Sequence, residues 1–111
     1  MNLPTYENDH FVLDDAVEIH NENPDTFWIP SNEEKNNLSV GSIVKLIFSM
    51  EVSAGSDEAS TERMWVEILN IEHDVFTGRL DNEPNGSDCV NCDYVFNFNS
   101  CHIIDIYSKD T

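Results

Sequence analysis

The chain has 111 residues, 40% of them hydrophobic, and its 22 acidic and 5 basic residues give a formal net charge of −17 at pH 7. This length and apolar content predict a single domain, residues 1–111, with its own core, and they exclude a disordered acidic tail. The charge argues against direct binding to nucleic acid or to an anionic membrane surface, since either would repel the chain before short-range contacts formed. We therefore expect a cationic protein as the partner, with solubility alone as the competing explanation for the acidity.

The N-terminal part, residues 1–38, is predicted to be acidic and helical. Val12, Ala16 and Ile19 follow the spacing of one helix face, and Pro24 ends the run, so we expect a helix from Asp14 to Glu22. A second short helix is predicted further along, because Ser31 is followed three residues later by Glu34, the pattern of a capping box.

The predicted helix carries a row of carboxylates. Asp14, Glu18 and Glu22 recur every four residues, about 6 Å apart along the axis, with Asp15 beside them and Asp25 just past the helix. The row is either a solvated face or a surface that meets Lys and Arg side chains of a partner. Further contacts with the partner are expected from acids in predicted loops: Asp57, Glu58, Asp81, Glu83 and Asp88.

Residues 39–111 are predicted to be rich in strands. In "SIVKLIFSMEV" apolar side chains from Val44 to Val52 alternate with polar ones, and in "RMWVEILNIEHD" both faces carry bulky side chains, as in a bent strand between two layers. "VFTGRL", "DYVFNF" and "HIIDIY" are predicted as three more strands. Together these patterns predict an α+β domain: one or two N-terminal helices followed by a small bent antiparallel sheet or SH3-like barrel of about five strands.

Two of the five bases, Arg63 and Arg79, lie in the predicted sheet. We expect each to pair with a nearby acid, such as Glu67 or Asp81, in preference to binding an external anion.

Part of the chain resembles a known family. The strings "VGSIVKLIF", "ERMWVEILNIEHDVFTGRLDNEP" and "HIIDI", preceded by "NPDTFWIPSNEEK", are similar to a bacterial family of small domains of unknown function, some of them associated with toxin immunity. The similarity covers roughly residues 23 to 106. It implies a cytosolic bacterial domain, an inhibitor of a toxin and no enzyme, and it does not extend to "NGSDCVNCD".

The stretch "GRLDNEPNGSDCVNCDYVF" has features of a metal loop. It begins like a calcium loop, but position 12 is Cys92 and the flanks are predicted strands, which argues against calcium. Cys89, Cys92, Cys101 and His102 could supply four zinc donors, although the last two are sequence neighbours. We favour an ordinary hairpin turn at Asn85-Gly86, with no metal and no cofactor.

The preferred function is that of a non-enzymatic, monomeric acidic protein that occupies the nucleic-acid-binding surface of a basic partner. The histidines are scattered, and neither a nucleophile elbow nor a phosphate loop is present. The partner is either a nucleoid-associated or other DNA-binding protein, which would make the chain a DNA mimic, or a nuclease or other toxin, which would make it an immunity protein. A zinc or thiol-redox module is the alternative from another class.

The compartment is expected to be the cytoplasm. The start of the chain has no basic region followed by an apolar segment, and no later stretch approaches the length of a membrane span. Three cysteines, an odd number, fit reduced thiols better than a disulfide framework.

Overall fold

The computed structural model of the protein describes residues 2–108 and is an α+β domain. Short helices and one short strand occupy the N-terminal part, and the other strands of an antiparallel sheet follow. The helices are α1 (Tyr6–Asp9), α2 (Ala16–Glu22) and α3 (Asn32–Asn36). The strands are β1 (Phe11–Leu13), β2 (Ile43–Glu51), β3 (Ala59–Glu72), β4 (Val75–Leu80), β5 (Val95–Asn99) and β6 (Ile103–Ile106), with a 3₁₀ turn at Ser100–His102.

The sheet is antiparallel throughout and is centred on β2 and β3. Five strands follow one another in the order β1-β2-β3-β4-β5. Two short strands share the remaining edge of β2: β6 pairs with its first half, Lys45 opposite Asp105, and β1 pairs with its second half, Val12 opposite Ser49. The predicted bent antiparallel sheet is thereby confirmed.

The sheet curls into a half barrel, and aromatic contacts show how far. In a flat sheet β1 and β5 would lie about 19 Å apart, four strand spacings of about 4.8 Å each. The ring of Phe11 on β1 nevertheless lies 5.4 Å from that of Phe96 on β5 and 5.2 Å from that of Phe48 on β2. The first and last strands of this order therefore approach each other across the concave face.

The concave face holds the main core, and the apolar residues of the predicted alternation are the ones buried there. Val44, Leu46, Phe48 and Met50 of β2 are buried, as are Met64, Val66 and Ile68 of β3. Phe96 and Phe98 complete this layer, whereas Tyr94, just before β5, is 37% exposed. Period-two patterning thus identified the inner surface of the half barrel.

The outer face carries a smaller apolar cluster, against which α2 packs. Ala16, Ile47 and Ile104 are buried there, with Ile19, Phe27 and Ile29 packed around them. Because α2 contributes only Ala16 and Ile19 to this cluster, its other side stays in solvent.

The helix predicted from Asp14 begins later, at Ala16, and Val12 belongs to β1 instead. Asp15 is the N-cap: its backbone is extended, and its Oδ1 accepts a hydrogen bond from the Glu18 amide at 3.0 Å. Asp14 is held by the sheet, because its amide donates to the Ile47 carbonyl at 3.1 Å. The sheet contact and the cap together outweigh the helical spacing of the apolar residues.

Two further predictions concern element boundaries. The capping box is confirmed: Ser31 Oγ accepts from the Glu34 amide, and Glu34 Oε1 accepts from the Ser31 amide. The first strand of the β2–β3 hairpin matches its prediction, but β3 starts at Ala59, before the predicted strand "RMWVEILNIEHD" begins at Arg63. Pairing with β2 extends the strand through "ASTE", although its composition is typical of a loop.

Gly78 is required by close packing inside the sheet, which makes it a test of the fold. A Cβ atom at this position would lie 2.7 Å from Phe98 Cε1 and closer still to Val66 Cγ1. We expect Gly78→Ala to lower the free energy of unfolding by about 1–3 kcal/mol, the usual cost of overpacking, in urea titrations. Adding Val66→Ala should make the combined loss smaller than the sum of the two single losses, and strict additivity would contradict this packing.

Candidate partner-binding surfaces

Carboxylates cover the described surface almost without neutralisation. Within residues 2–108 none of them is buried, and the ion pairs that they make are few. Arg79 pairs with Glu67 and, at 3.9 Å, with Asp93, and His10 Nδ1 lies 2.9 Å from Glu51 Oε1. The predicted pairing of Arg79 with Glu67 is confirmed, and within residues 2–108 the other carboxylates have no cationic side chain within ion-pair distance.

The predicted helical row is only partly formed. Glu18 and Glu22 both lie on α2 and are exposed, and Asp25 is exposed in the turn that follows. Asp15 is exposed as well, but its carboxylate caps the helix.

Asp14 lies before α2 and is half-buried, so it does not continue the row. Desolvation by the surrounding structure raises the pKa of its carboxyl above the ordinary value of 3.8. The prediction that Asp14, Glu18 and Glu22 share one helix face is therefore wrong for its first member.

The segment from Asp81 to Asp88 runs beside the free edge of β3. Strand β4 pairs with β3 only from Val66 onward, and beyond this point the Asp81 amide donates to the Trp65 carbonyl at 2.9 Å. Glu62 holds the middle of the segment, because its carboxylate accepts from the Asn85 and Gly86 amides at 3.1 and 2.6 Å. The loop thereby covers a strand edge that would otherwise stay unpaired.

The same loop meets the turn between β2 and β3 at Val52. The Val52 amide donates to the Glu58 carbonyl at 3.1 Å, and its carbonyl accepts from the Asp88 amide at 3.0 Å. Five predicted binding acids therefore lie along one edge of β3 and its adjoining turn, and all five are exposed: Asp57, Glu58, Asp81, Glu83 and Asp88. We call this set the acidic edge.

The predicted tight turn at Asn85-Gly86 is wrong in detail. Strands β4 and β5 do pair as a hairpin, but residues 81–94 separate them, and the positive φ angle that a type I′ turn requires is not found at either residue. Gly86 is needed for a different reason, since a Cβ atom there would lie 2.7 Å from Ser60 Cβ. The loop is held at this point by the carboxylate of Glu62, which accepts hydrogen bonds from the Asn85 and Gly86 amides.

The cysteines are free thiols in separate surroundings. Cys89 Sγ lies 3.4 Å from Asp88 Oδ1, Cys92 Sγ lies 3.7 Å from the Leu80 carbonyl, and Cys101 belongs to the 3₁₀ turn. Partial burial, followed by nearby carboxylates, raises the pKa of each thiol above 9.0, which keeps it protonated and weakly nucleophilic at neutral pH. Among residues 2–108 no three His, Cys, Asp or Glu side chains are grouped to hold a metal ion.

Lys35 and His102 are the buried charged or titratable residues of the described chain. Desolvation lowers the pKa of Lys35, while Cys101, Asp74 and Asp15 act in the opposite direction. His102 Nδ1 accepts a hydrogen bond from the Asn99 amide at 3.0 Å, so the neutral ring carries its proton on Nε2.

A groove on the outer face was not predicted from the sequence. It has a volume of about 520 Å³ and is lined by residues 26–30, by Lys45 and Arg63, and by residues 104–106 of β6. Lys45 Nζ lies 4.5 Å from the ring centre of Trp65, and the Arg63 guanidinium lies 5.6 Å from that of Phe27. The predicted pairing of Arg63 with an acid is wrong, because the side chain lies over an aromatic ring instead.

Trp28 beside this groove is 75% exposed. The available signal was the combination of Trp28, Lys45 and Arg63, but these residues are distant in sequence. Only the pairing of β2 with β3 and the course of residues 26–30 bring them to one groove, and Trp65 contacts it through Lys45.

Comparisons of the chain with protein-family models, with curated proteins and with solved structures found no match. None of the helices in residues 2–108 has the length and apolar character needed to cross a membrane. The fold class and the surfaces are therefore the basis for any functional conclusion.

The burial of His102 predicts a pH dependence of stability. Desolvation lowers the pKa of the folded imidazole below its ordinary value of 6.5, so the unfolded chain takes up the proton first. We expect stability to fall as the pH drops below about 6.5, as measured by urea unfolding at a series of pH values. The variant His102→Asn keeps a hydrogen-bond acceptor but cannot be protonated, and its stability should fall less steeply. Equal slopes for the two proteins would contradict this role.

Proposed function

We propose that the protein is a non-enzymatic acidic binding protein that occupies the nucleic-acid-binding surface of a basic protein partner. The observation that carries the proposal is the unneutralised carboxylate surface. Of the Lys and Arg residues in the described chain, Arg79 alone pairs with carboxylates, and Lys35 is buried. A partner rich in Lys and Arg would supply the counter-charge that the fold itself does not.

The acidic edge supports this proposal through its charge density. Residues 57–65, from the turn into β3, span at most about 26 Å at about 3.3 Å per residue. One strand of B-form DNA carries about eight phosphates over that length, at 3.4 Å each. The five exposed carboxylates of the acidic edge reach more than half of that linear density, and backbone hydrogen bonds hold the main chain at Asp81 and Asp88. Glu18 and Glu22 on α2 offer a second, smaller set on the outer side.

Toxin immunity is the alternative form of the same proposal, with a toxin as the basic partner. It rests on the resemblance carried by "RMWVEI" and "GRLDNEP". In the fold, Met64, Val66 and Leu80 of these strings are buried in the core, so much of the similarity concerns the sheet and not a binding surface. The likeness of the sheet to an SH3-like barrel likewise stays a prediction.

A zinc or redox module receives less support. The thiols have raised pKa values, and Cys89 and Cys92 contact different groups.

The acidic edge can be tested with matched charge variants. The first variant combines Asp57→Asn, Glu58→Gln and Asp88→Asn, and the control removes three exposed acids elsewhere, Glu7, Glu33 and Glu72, by substitution with Gln. The assay measures displacement of duplex DNA from a basic protein recovered from the native host, by fluorescence anisotropy at several salt concentrations.

We expect the edge variant to compete about tenfold or more weakly at low salt and to show a shallower salt dependence, because desolvated charge pairs are lost from the interface. The control variant should stay near the parent protein. Equal losses in both variants would mean that overall charge acts without a defined surface, and no displacement by the parent protein would contradict the proposed function.

The net charge also predicts a response to salt without any partner. Seventeen excess negative charges are brought together on folding, and salt screens their repulsion. We expect moderate NaCl to raise the melting temperature measured by circular dichroism. A steady decrease with added salt would mean that local attractive pairs outweigh the net repulsion.

A further inference from the structure

The groove on the outer face is lined by the cations Lys45 and Arg63 and by the exposed ring of Trp28. Neither Lys45 nor Arg63 pairs with a carboxylate of residues 2–108. This is unexpected in a chain with 22 acids, and two of these acids, Glu34 and Asp105, line the same groove.

The two acids at the groove are already engaged by backbone amides. Glu34 Oε1 accepts from the Ser31 amide at 3.0 Å in the capping box, and Asp105 Oδ1 accepts from the Ile106 amide at 2.8 Å. Asp105 stands opposite Lys45 in the sheet and still does not pair with it. The donors of Lys45 and Arg63 therefore remain available to a ligand from outside, and the planar guanidinium suits a carboxylate.

We propose that this groove docks a short apolar segment of a partner protein that carries a carboxylate. Its composition matches the residues that dominate binding energy in protein interfaces, because Trp and Arg, with Tyr, are the usual anchors. Trp28 is 75% exposed, and Trp65 stacks edge-on against Tyr107 at 5.8 Å. The carboxylate would pair with Arg63 and Lys45 while apolar side chains cover Trp28 and Ile106.

Charge decides between this occupant and its competitors. A polyanion such as nucleic acid would be repelled by the net charge of −17. A single carboxylate within an apolar segment can pair with Lys45 or Arg63, because Glu34 and Asp105 at the same groove already accept hydrogen bonds from backbone amides. A second copy of the chain would bring the same net charge and the same repulsion. The inference is independent of the acidic edge: it concerns a different face, selects a partner by shape and one carboxylate, and does not require the partner to bind nucleic acid.

The test is selection from a phage-displayed library of random heptapeptides on the immobilised full-length protein, with depletion on the Trp28→Ala variant. Trp28 is largely exposed, so this change spares the fold. We expect the enriched peptides to contain Asp or Glu between apolar residues. In synthetic form they should bind about tenfold more weakly when the acid is replaced by its amide, and also when Trp28→Ala or Arg63→Gln is introduced. Val40→Ala, an exposed apolar truncation that does not line the groove, is the control and should leave binding unchanged.

Three results would overturn the proposal. They are the absence of any peptide that distinguishes the parent protein from Trp28→Ala, enriched peptides that need Trp28 but contain no acid, and a dimer in sedimentation equilibrium that Trp28→Ala abolishes. A parallel selection without depletion separates the two proposals: if it yields only basic peptides that bind the parent and Trp28→Ala equally and lose affinity for the acidic-edge variant, the proposed function is supported and the groove proposal is overturned. Failure of one proposal is thereby separated from failure of the other.

Discussion

The contact of Phe11 with Phe96 and Phe48 is the interaction on which the rest of the structure depends. It joins β1 to β5 across the concave face and so converts an open sheet into a half barrel with a closed core. Burial of a Phe side chain stabilises a fold by about 1.5–3 kcal/mol, and each favourable aromatic pair adds about 0.5–1.5 kcal/mol. Against a typical domain stability of about 5–15 kcal/mol, this short N-terminal strand is a substantial part of what keeps the sheet curled.

Once the concave face is closed, polar and charged groups are left to the edges and the outer face. The loop after β4 places Val90 in the core. It is held to β3 by the hydrogen bond from the Asp81 amide to the Trp65 carbonyl and by the carboxylate of Glu62. Carboxylates therefore serve this fold in two ways. Those of Asp15, Glu34 and Glu62 accept hydrogen bonds from backbone amides. Those of the acidic edge are exposed and accept no hydrogen bond from a described backbone amide, so they can contact a partner.

The proposed surfaces complement each other physically. A dense field of exposed carboxylates accelerates association with any basic protein, but it discriminates poorly among such proteins and weakens as salt rises. A groove with aromatic anchors and two unpaired cations gives contacts that depend on shape and on one partner carboxylate, and these contacts are less sensitive to salt. In a chain that carries both features, the carboxylate surface would set the association rate and the groove would determine which partner binds.

Sequence alone determined the α+β class, the strands with regular alternation and the capping box at Ser31, because these depend on neighbouring residues and on periods of two or four. Val12 shares the helical spacing of Ala16 and Ile19, and a strand of three residues is too short to show alternation. Only pairing with Ser49 places Val12 in the sheet. For the candidate site, composition predicted an acidic surface, and the positions of acids in the predicted helix and loops gave its candidate residues. Tertiary structure decided that Asp14 leaves the helical row, that Asp81 to Asp88 follow the edge of β3, and that Trp28, Lys45 and Arg63 meet at one groove. These outcomes depend on contacts between residues far apart in the chain, which no local pattern encodes.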